Sequence, residues 1–497
     1  MSAILEKSDV YTDGWLENQL NVGNIDFEWK LGIKNNWRIR SDKNRVLLVE
    51  ITEKVFEIGK YHRLVPQEAI LAAMLDGKKT ITDLVTEAAD LFSTTSESVS
   101  GFIKPFLKNL SEALTINPEK ISRRSYELEK LIIPSNEVDC LTTRNAYPLS
   151  MILHISDSCN RNCIYCNVQK RPSNKECALT TEQLFNVIDQ ASEAGVMTVS
   201  IAGGEPFLRN DIPELIERIY KNDMACGFST KAYISPEMAE RLKNVGVEYA
   251  QVSLDAPDEK IADLLAGSIG FYKDAIATIK NLRNVGIQVR TNSIITPFNV
   301  RMIGDLVELL ASLGVYYISL TSASRSLHNG AISDSLFLNH RDGKWLENEV
   351  RRLQTVYKDS PTEVGSFEMY TDYNFVFKKT KEKMFKDRAN CSAGRSAFLV
   401  LEDGKVVLCE ECPVCDELVF GNVKEQSLQE IWDSPKIQEF LHPPREKYIG
   451  TVCYDCTDYD ECHDVKGRCW RESLKAYGEI YAPAPMCPYA PTGKKVF

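Results

Sequence analysis

Three cysteines lie close together in the stretch SCNRNCIYCNVQ, as Cys159, Cys163 and Cys166. Their thiolates are soft ligands, which suit zinc, copper(I) or iron–sulfur clusters. A structural zinc site usually takes four protein ligands, and this stretch offers three. On a cubane 4Fe–4S cluster, three thiolates would leave one iron open for a small molecule. A zinc loop completed by a distant fourth ligand is the alternative interpretation.

A second candidate site is the segment Gly203-Gly204-Glu205-Pro206. Paired glycines allow a close approach of the backbone that any Cβ would block. The Glu205 side chain can accept a hydrogen bond from a cationic group on a ligand. A Gly-Gly pair alone also serves as a simple turn. Its position, one strand after the cysteines, favours a shared site.

Composition restricts the class of protein. The 497 residues include 15 cysteines, and the N-terminus lacks the apolar region of a signal peptide. In a reducing compartment, clustered cysteines indicate metal ligands rather than disulfides. The net charge of −11 gives no overall basic surface for nucleic acid, and no apolar run is long enough to span a bilayer. We therefore expect a cytoplasmic protein that binds neither nucleic acid nor a membrane.

The elements that must position these residues begin near residue 149, where apolar strands alternate with amphipathic helices. Predicted strands cover residues 151–155, 196–202, 225–230, 248–254, 287–295 and 315–321. Six βα units in sequence predict parallel strands with right-handed crossovers. Two units fewer than an eightfold barrel predict an open, partial (β/α)6 barrel. Active sites of such folds lie at the carboxyl ends of the strands, where the cysteines and Gly-Gly-Glu both fall.

Residues 1–115 contain no cysteine and have a different pattern. Strand-like runs at 44–58 precede a helix, an Asp76-Gly77 turn and a second helix that Thr80 or Thr82 would cap. A third helix, about 99–114, contains Pro105, where it would kink or near which it would start. This order predicts a winged-helix-like domain, and residues 116–148 are predicted to be a linker.

The cysteine spacing and the Gly-Gly-Glu segment resemble the CxxxCxxC and GGE motifs of radical S-adenosylmethionine (SAM) enzymes. The resemblance implies that Cys159, Cys163 and Cys166 hold a 4Fe–4S cluster that binds SAM at its open iron. It implies that the segment Gly203, Gly204 and Glu205 holds the SAM amino group. Further SAM contacts would come from later strand ends, at Ser229, Thr230, Lys231, Ser253, Asp255 and Asn292. Many members carry an arginine before the glycine of the segment that reads LLAGSIGF (264–271) here, and this chain has none there.

The nine cysteines between Cys391 and Cys487 resemble the SPASM extension of these enzymes. That resemblance implies two auxiliary 4Fe–4S clusters, and so three clusters in all. The outer cluster would use Cys453, Cys456, Cys462 and Cys487; the inner would use Cys391, Cys409 and Cys469, with Cys412 or Cys415 as fourth ligand, or an open iron. The gap between Cys462 and Cys469 is longer than usual, and we expect the extra residues to form a loop. A zinc ribbon is the alternative for this region.

The N-terminal order of strands, helix, Asp-Gly turn and helix resembles the element with which peptide-modifying members bind the leader of a precursor. The binding mode would be β-augmentation, in which the leader adds a strand to a sheet edge. The resemblance thus implies four parts: a leader-recognition domain (1–115), a linker (116–148), a radical SAM partial barrel (149–370) and a SPASM domain (371–497).

The function implied is maturation of a ribosomally made precursor peptide. A 5′-deoxyadenosyl radical would abstract hydrogen, and a substrate cysteine sulfur would join the carbon in a thioether, as in sactipeptides and ranthipeptides. Flavodoxin or ferredoxin would supply the electron. Carbon–carbon (cyclophane) cross-linking and epimerisation share the first step, and epimerisation would need a hydrogen donor such as Cys177 or Cys226. Sulfatase-type formylglycine formation needs no leader-binding domain. A non-catalytic metal-binding peptide scaffold is the other class, and it has no use for an amino-group clamp.

Overall fold

A computed structural model describes residues 13–52, 59–134, 136–140, 142–168, 178–328, 334–367, 373–411 and 413–494. Its internal contacts divide the chain into an N-terminal unit that ends at Thr142 and a larger C-terminal unit that begins at Thr143. Within the described residues, no helix combines the length and apolar character needed to cross a bilayer.

The described residues of the N-terminal unit form short strands and four α-helices. In chain order they are α1 (Asp13–Asn21), β1 (Gly32–Ile33), β2 (Trp37–Ser41), β3 (Val46–Glu50), β4 (Tyr61–Leu64), α2 (Pro66–Met74), α3 (Ile81–Leu91), α4 (Ser96–Asn109) and β5 (Leu114–Thr115). Strands β2, β3 and β4 form an antiparallel sheet in that order, and β1 pairs with β5. Strands β2 to β4 precede helices α2 to α4, in the predicted order, while α1 before them and β5 after them were not predicted.

Three details of this unit refine the sequence-based expectations. Thr80 caps α3, because its side chain accepts a hydrogen bond from the Asp83 N–H at 3.1 Å. Helix α4 begins at Ser96 and runs through Pro105. Leu131 and Ile133 are buried in this unit's core, so part of the predicted linker packs here. Residues 53–58 of the predicted strand segment lie outside the described residues.

The C-terminal unit is built on a ten-stranded sheet. Its strands are β6 (Ser150–Ser156), β7 (Thr198–Gly203), β8 (Ala225–Thr230), β9 (Tyr249–Val252), β10 (Gln288–Ile295), β11 (Tyr317–Ser322), β12 (Glu363–Val364), β13 (Ala397–Val400), β14 (Lys405–Val407) and β15 (Gly421–Asn422). The order across the sheet is β12-β11-β10-β9-β8-β7-β6-β13-β14-β15. Pairing is parallel from β12 to β13 and antiparallel from β13 to β15, so the mainly parallel sheet is confirmed.

All six strands predicted from the sequence are present, β6 to β11. Helices follow the strands, and their apolar stripes pack on the sheet: in α5, Leu184, Val187, Ile188 and Ala191 are all buried. These helices are α5 (Thr181–Glu193), α6 (Ile212–Lys221), α7 (Pro236–Asn244), α8 (Glu259–Ala266), α9 (Phe271–Asn284), α10 (Ile303–Ser312) and α11 (His340–Val356). The remainder carries α12 (Lys378–Asp387), α13 (Leu428–Trp432), α14 (Pro435–Leu441) and α15 (Trp470–Tyr477).

The region after residue 370 adds to the barrel sheet, which the strand pattern did not predict. Strand β13 pairs in parallel with β6, the strand that leads to the three cysteines, and Ala397 lies opposite Ser150. The cysteine-rich region therefore continues the sheet of the barrel and is held beside the first strand.

Candidate active site

A cavity of about 530 Å³ lies at the carboxyl ends of the parallel strands. Most of the predicted site residues line it together: Cys159, Cys163, Cys166, Gly203, Gly204, Glu205, Ser229, Thr230, Lys231, Ser253 and Asn292. Residues from the loop after β6 and from the ends of β7, β8, β9 and β10 thus meet in one place. This convergence follows from parallel pairing, which brings the strand ends to one edge of the sheet.

The Gly-Gly-Glu segment packs directly on the loop that leads to the cysteines. The Gly204 N–H donates to the Ser156 carbonyl at 2.6 Å, and the Glu205 N–H donates to the Ser158 carbonyl at 2.8 Å. A Cβ at Gly204 would lie 2.3 Å from the Ser158 carbonyl oxygen, so only glycine fits there. The backbone of this segment is therefore fixed against the residue that precedes Cys159.

The Glu205 carboxylate is buried and oriented by three hydrogen bonds. It accepts from the Thr230 hydroxyl at 2.7 Å, the Lys231 N–H at 2.9 Å and the Phe207 N–H at 3.2 Å. Burial raises its pKa, and these bonds oppose the rise. A carboxylate offers about four acceptor positions, so one remains for a cationic group in the cavity.

Lys231 also projects into the cavity, and Asp255 holds it there. Its ammonium nitrogen lies 3.0 Å from a carboxylate oxygen of Asp255, which also accepts a hydrogen bond from the Tyr165 hydroxyl. Burial acts to lower the pKa of Lys231, but the Asp255 carboxylate, together with Cys163 and Glu205, outweighs burial and raises the pKa. Asp255 itself is fully buried and is absent from the cavity lining. Its position is therefore that of a residue that orients Lys231 and Tyr165.

The SPASM-like region contributes a wall of the same cavity, which the sequence did not predict. Glu410 and Glu411, which follow Cys409, line the cavity with His154 of β6. The His154 Nε2 atom lies 3.7 Å from the Glu410 carboxylate. Glu411 is fixed by Arg471 at 2.6 Å and by Lys475 at 2.5 Å. The acidic pair between two cysteines, CEEC, was the available signal in the sequence.

The cysteine at the centre of the loop is largely shielded from water. Burial raises the pKa of Cys163 to about 11, and the nearby Lys231 ammonium opposes the rise. At neutral pH this thiol would keep its proton unless a metal ion replaced the proton on the sulfur. Because metal binding requires thiolates, loading of this site would release protons.

A second cavity, of about 540 Å³, is lined by the four cysteines predicted for the outer cluster: Cys453, Cys456, Cys462 and Cys487. An Arg388 side-chain nitrogen donates to the Cys462 sulfur at 3.4 Å. The extra residues after Cys462 form a π-helical turn, Glu461–Lys466, rather than the expected loop. A tertiary contact stabilises this turn, because the Arg395 guanidinium donates to the carbonyls of His463 and Asp464.

The cysteines predicted for the inner cluster are also neighbours. Cys391 interacts electrostatically with both Cys409 and Cys469, and burial raises the pKa of Cys469 to about 12. Cys415 is exposed, and Cys412 lies outside the described residues. Within the described part of the chain, no three His, Cys, Asp or Glu side chains are grouped as for a single metal ion. A four-iron cluster differs in that it takes each thiolate on a separate iron.

Of the two cysteines considered as hydrogen donors, Cys226 does not line the cavity. Cys226 lies in β8 and is buried in the hydrophobic core. Its environment is that of a small apolar side chain. Cys177 lies outside the described residues.

Known proteins resemble this chain in the two regions that carry the cysteines. Residues 153–313 match the Radical SAM superfamily, and residues 391–457 match SPASM, an iron-sulfur cluster-binding domain. Similar proteins include a PqqA peptide cyclase from Granulibacter bethesdensis, 24% identical over 69% of this chain and 88% of that protein. A Fe-coproporphyrin III synthase from Methanosarcina barkeri is 26% identical over 75% of this chain and 94% of its own. An AdoMet-dependent heme synthase from Nitratidesulfovibrio vulgaris is 24% identical over 68% of this chain and 91% of that protein.

Solved structures share the fold. SuiB of Streptococcus suis bound to S-adenosylmethionine aligns with a TM-score of 0.65 and 18% identity, over 92% of this chain and 99% of that chain. The complex of SuiB with its precursor peptide SuiA aligns with a TM-score of 0.64, 18% identity and the same coverage. The chain therefore has the radical SAM α/β fold and carries a radical SAM domain followed by a SPASM iron–sulfur cluster-binding domain.

Proposed function

We propose that this chain is a radical SAM peptide maturase that installs a thioether cross-link in a ribosomally made precursor. Cys159, Cys163 and Cys166 would hold the SAM-binding 4Fe–4S cluster, and Gly203 to Glu205 would hold SAM. The supporting observation is that one cavity of about 530 Å³ is lined by these residues and by Glu410 and Glu411 of the SPASM side. When bound, the clusters and SAM supply a 5′-deoxyadenosyl radical and an acceptor for one electron.

The residues of the chain position the ligands and control protons. Glu205 has one acceptor position left and is fixed by three bonds, so it suits the ammonium group of SAM. Ser229, Ser253 and Asn292 place neutral hydrogen-bonding groups farther along the cavity wall, where ribose hydroxyls could bind. The strand ends form one wall of the cavity, and exclusion of water by the bound substrate would protect a reactive radical from side reactions.

Glu410 is the candidate acceptor for the proton that thioether formation releases. Joining a C–H carbon to an S–H sulfur removes one hydrogen atom, one proton and one electron. Glu410 directly follows Cys409, a proposed inner-cluster ligand, and its carboxylate faces His154 at 3.7 Å. The Glu410 carboxylate would take up the proton and so remove it from the reacting centre, and the His154 imidazole lies beside that carboxylate.

The N-terminal unit supports a peptide as the substrate. Residues 143–497 make up less than three quarters of the chain, so the 92% alignment with SuiB extends into the N-terminal unit. SuiB was solved with its precursor peptide, and another similar protein is a PqqA peptide cyclase. Strands β2 and β4 are the two edges of the small sheet, where an extended leader could add a strand. The N-terminal residues are thus proposed as the leader-recognition domain, the barrel as the SAM-cleaving domain and the remainder as the auxiliary-cluster domain.

A carbon–carbon cross-link is the second candidate reaction. The peptide cyclase among the similar proteins favours it, because cyclisation joins side chains without needing a sulfur. Both cross-links lower the precursor mass by two hydrogens, whereas epimerisation leaves the mass unchanged. Alkylation of the product with iodoacetamide separates the two: a thioether consumes a cysteine thiol, and a carbon–carbon bond leaves it reactive.

The first test is anaerobic reconstitution with iron and sulfide. The proposal expects about twelve iron atoms per chain, four for each of three clusters, and release of 5′-deoxyadenosine with a low-potential reductant. Flavodoxin or ferredoxin as donor and a cytoplasmic location stay predictions. Bound zinc without SAM cleavage would instead support a metal-binding scaffold.

The second test concerns the leader. A protein lacking residues 1–142 should still cleave SAM but lose affinity for a candidate precursor. The cut is placed after residue 142 because Leu131 and Ile133 belong to the core of the N-terminal unit. Undiminished precursor binding by the truncated protein would contradict leader recognition by this unit.

A further inference from the structure

The segment Leu264–Phe271 lacks the arginine that many radical SAM enzymes carry there, yet a guanidinium occupies this place. Arg161, from the cysteine loop, donates to the Ser268 hydroxyl at 2.8 Å and lies 2.6 Å from the Asp274 carboxylate. It lies over the Phe271 ring at 5.3 Å, and its Nε donates to the Lys231 carbonyl at 3.3 Å. Its side chain is 6% exposed and lines the cavity.

The backbone fixes this arrangement relative to the cysteines. The Asn162 N–H donates to the Ala266 carbonyl at 3.0 Å, and the Ile164 N–H donates to the Leu265 carbonyl at 3.1 Å. Gly267 has φ +59°, and a Cβ there would lie 2.1 Å from the Asn162 carbonyl oxygen. The cysteine loop therefore docks on the end of α8, which fixes the backbone next to Arg161 beside the 264–271 segment.

Arg161 still has hydrogen-bonding capacity for a ligand. A guanidinium carries five N–H groups, and the three bonds above use one on each nitrogen. One hydrogen therefore remains on each terminal nitrogen, and a ligand carboxylate can accept either of them in a charge-assisted hydrogen bond. No other partner of this side chain occurs among the described residues.

Lys231 is the other cation in this cavity that could bind a ligand carboxylate. The ion-pair partners of Lys231 and Arg161 differ in their exposure to water. The Asp255 partner of Lys231 is fully buried, whereas the side chain of Asp274, the partner of Arg161, is 40% exposed. Water screens an exposed carboxylate more strongly, so Asp274 neutralises Arg161 less than Asp255 neutralises Lys231. The less neutralised positive charge in this cavity wall is that of Arg161.

We propose that Arg161 supplies the cationic contact for the carboxylate of SAM, in place of an arginine in the 264–271 segment. This contact rests on the proposed SAM site. It follows that the cysteine loop provides both the cluster ligands and the carboxylate contact, so that cluster binding and SAM orientation are coupled in one loop.

The test is a double-mutant cycle in which one change is made in the protein and the other in the ligand. It uses the reconstituted full-length protein. Affinity is measured by equilibrium dialysis for SAM and for decarboxylated SAM, which lacks only the carboxylate. Arg161→Gln should weaken SAM about 10- to 100-fold, the range for a hydrogen bond to a charged group. The same variant should bind decarboxylated SAM within about twofold of wild type, because no interaction with it is lost. Arg161→Lys, which keeps the charge, should lie between these values.

Two outcomes would overturn the assignment. An equal loss for both ligands in Arg161→Gln, at full iron content, would show that Arg161 only supports the loop. A selective loss in Lys231→Met, with none in Arg161→Gln, would transfer the contact to Lys231. Wild-type protein that binds neither ligand would overturn the SAM site itself, and the contact with it. Iron content and circular dichroism of each variant identify protein that has failed to fold or to load.

Discussion

The Thr230 hydroxyl donates a hydrogen bond to the Glu205 carboxylate across 2.7 Å, joining the ends of β7 and β8. Both groups are buried, and the same carboxylate accepts the Lys231 N–H. A neighbouring strand end thus fixes the orientation of the group proposed to bind the SAM ammonium. Preorganisation of this kind lowers the cost of ordering on binding.

Substitutions of this pair should affect SAM affinity to different extents. Thr230→Val keeps the side-chain shape but removes one bond to the carboxylate, so SAM should bind about 10-fold more weakly. Glu205→Gln removes the charge, and the loss should reach about 100-fold. Equilibrium dialysis with reconstituted protein measures both. Thr278→Val, at a buried threonine outside the cavity lining, is the matched control and should bind SAM as wild type does.

Glu205 should also give a distinctive pH dependence of stability. Burial raises its pKa in the folded protein, so the unfolded chain gives up this proton first as pH rises. Relative to Glu205→Gln, wild-type protein should therefore lose free energy of unfolding as pH rises from the usual carboxyl pKa through the raised value. Urea unfolding of metal-free protein across this range measures the difference.

The control for this pH effect is a carboxylate at the surface. Glu214 forms an ion pair with Arg241, and both side chains are 49% exposed. Glu214→Gln, which removes one surface carboxylate, is the control for the loss of a single negative charge. If Glu205→Gln and Glu214→Gln gave the same profile, the raised pKa of Glu205 would be wrong.

Removal of one cysteine of the SAM-binding set should leave the auxiliary clusters in place. Cys163→Ala removes a thiolate that lines the first cavity, while the outer cysteines line a separate one. We expect SAM cleavage to be abolished and iron to fall by about four per chain, leaving about eight. Iron analysis and chromatography of 5′-deoxyadenosine measure the two effects. Cleavage by this variant would refute the assignment of Cys159, Cys163 and Cys166.

Arg388 should tune the reduction potential of the outer cluster. Its guanidinium donates to the Cys462 sulfur at 3.4 Å, and a positive hydrogen-bond donor at a ligand sulfur stabilises the reduced state. Arg388→Gln should therefore shift the potential to a more negative value, as measured by redox titration followed by electron paramagnetic resonance. Lys386→Gln is the control, because Lys386 lines the same cavity but is exposed. Equal shifts in both variants would indicate a general charge effect rather than the specific bond.

The features that depend on local spacing could be predicted from the order of the residues. Cys159, Cys163 and Cys166 are close because few residues separate them. The apolar run before Gly203 predicts strand β7, and Gly203 lies at the end of that strand. The period of the apolar residues identified all six strands β6 to β11. Parallel pairing then implied that Glu205, Ser229 and Ser253 meet at one edge of the sheet, as they do.

The distant segments that complete the site could not be predicted in this way. Pairing of β13 with β6, contact of Glu410 with His154 and insertion of Arg161 beside Ser268 join residues far apart in the chain. The π-helical turn after Cys462 likewise depends on the distant Arg395. No local period encodes such contacts, because their free energy comes from packing and burial that exist only once the chain has folded. Motif spacing therefore located the proposed cluster ligands, and long-range packing selected the side chains around them.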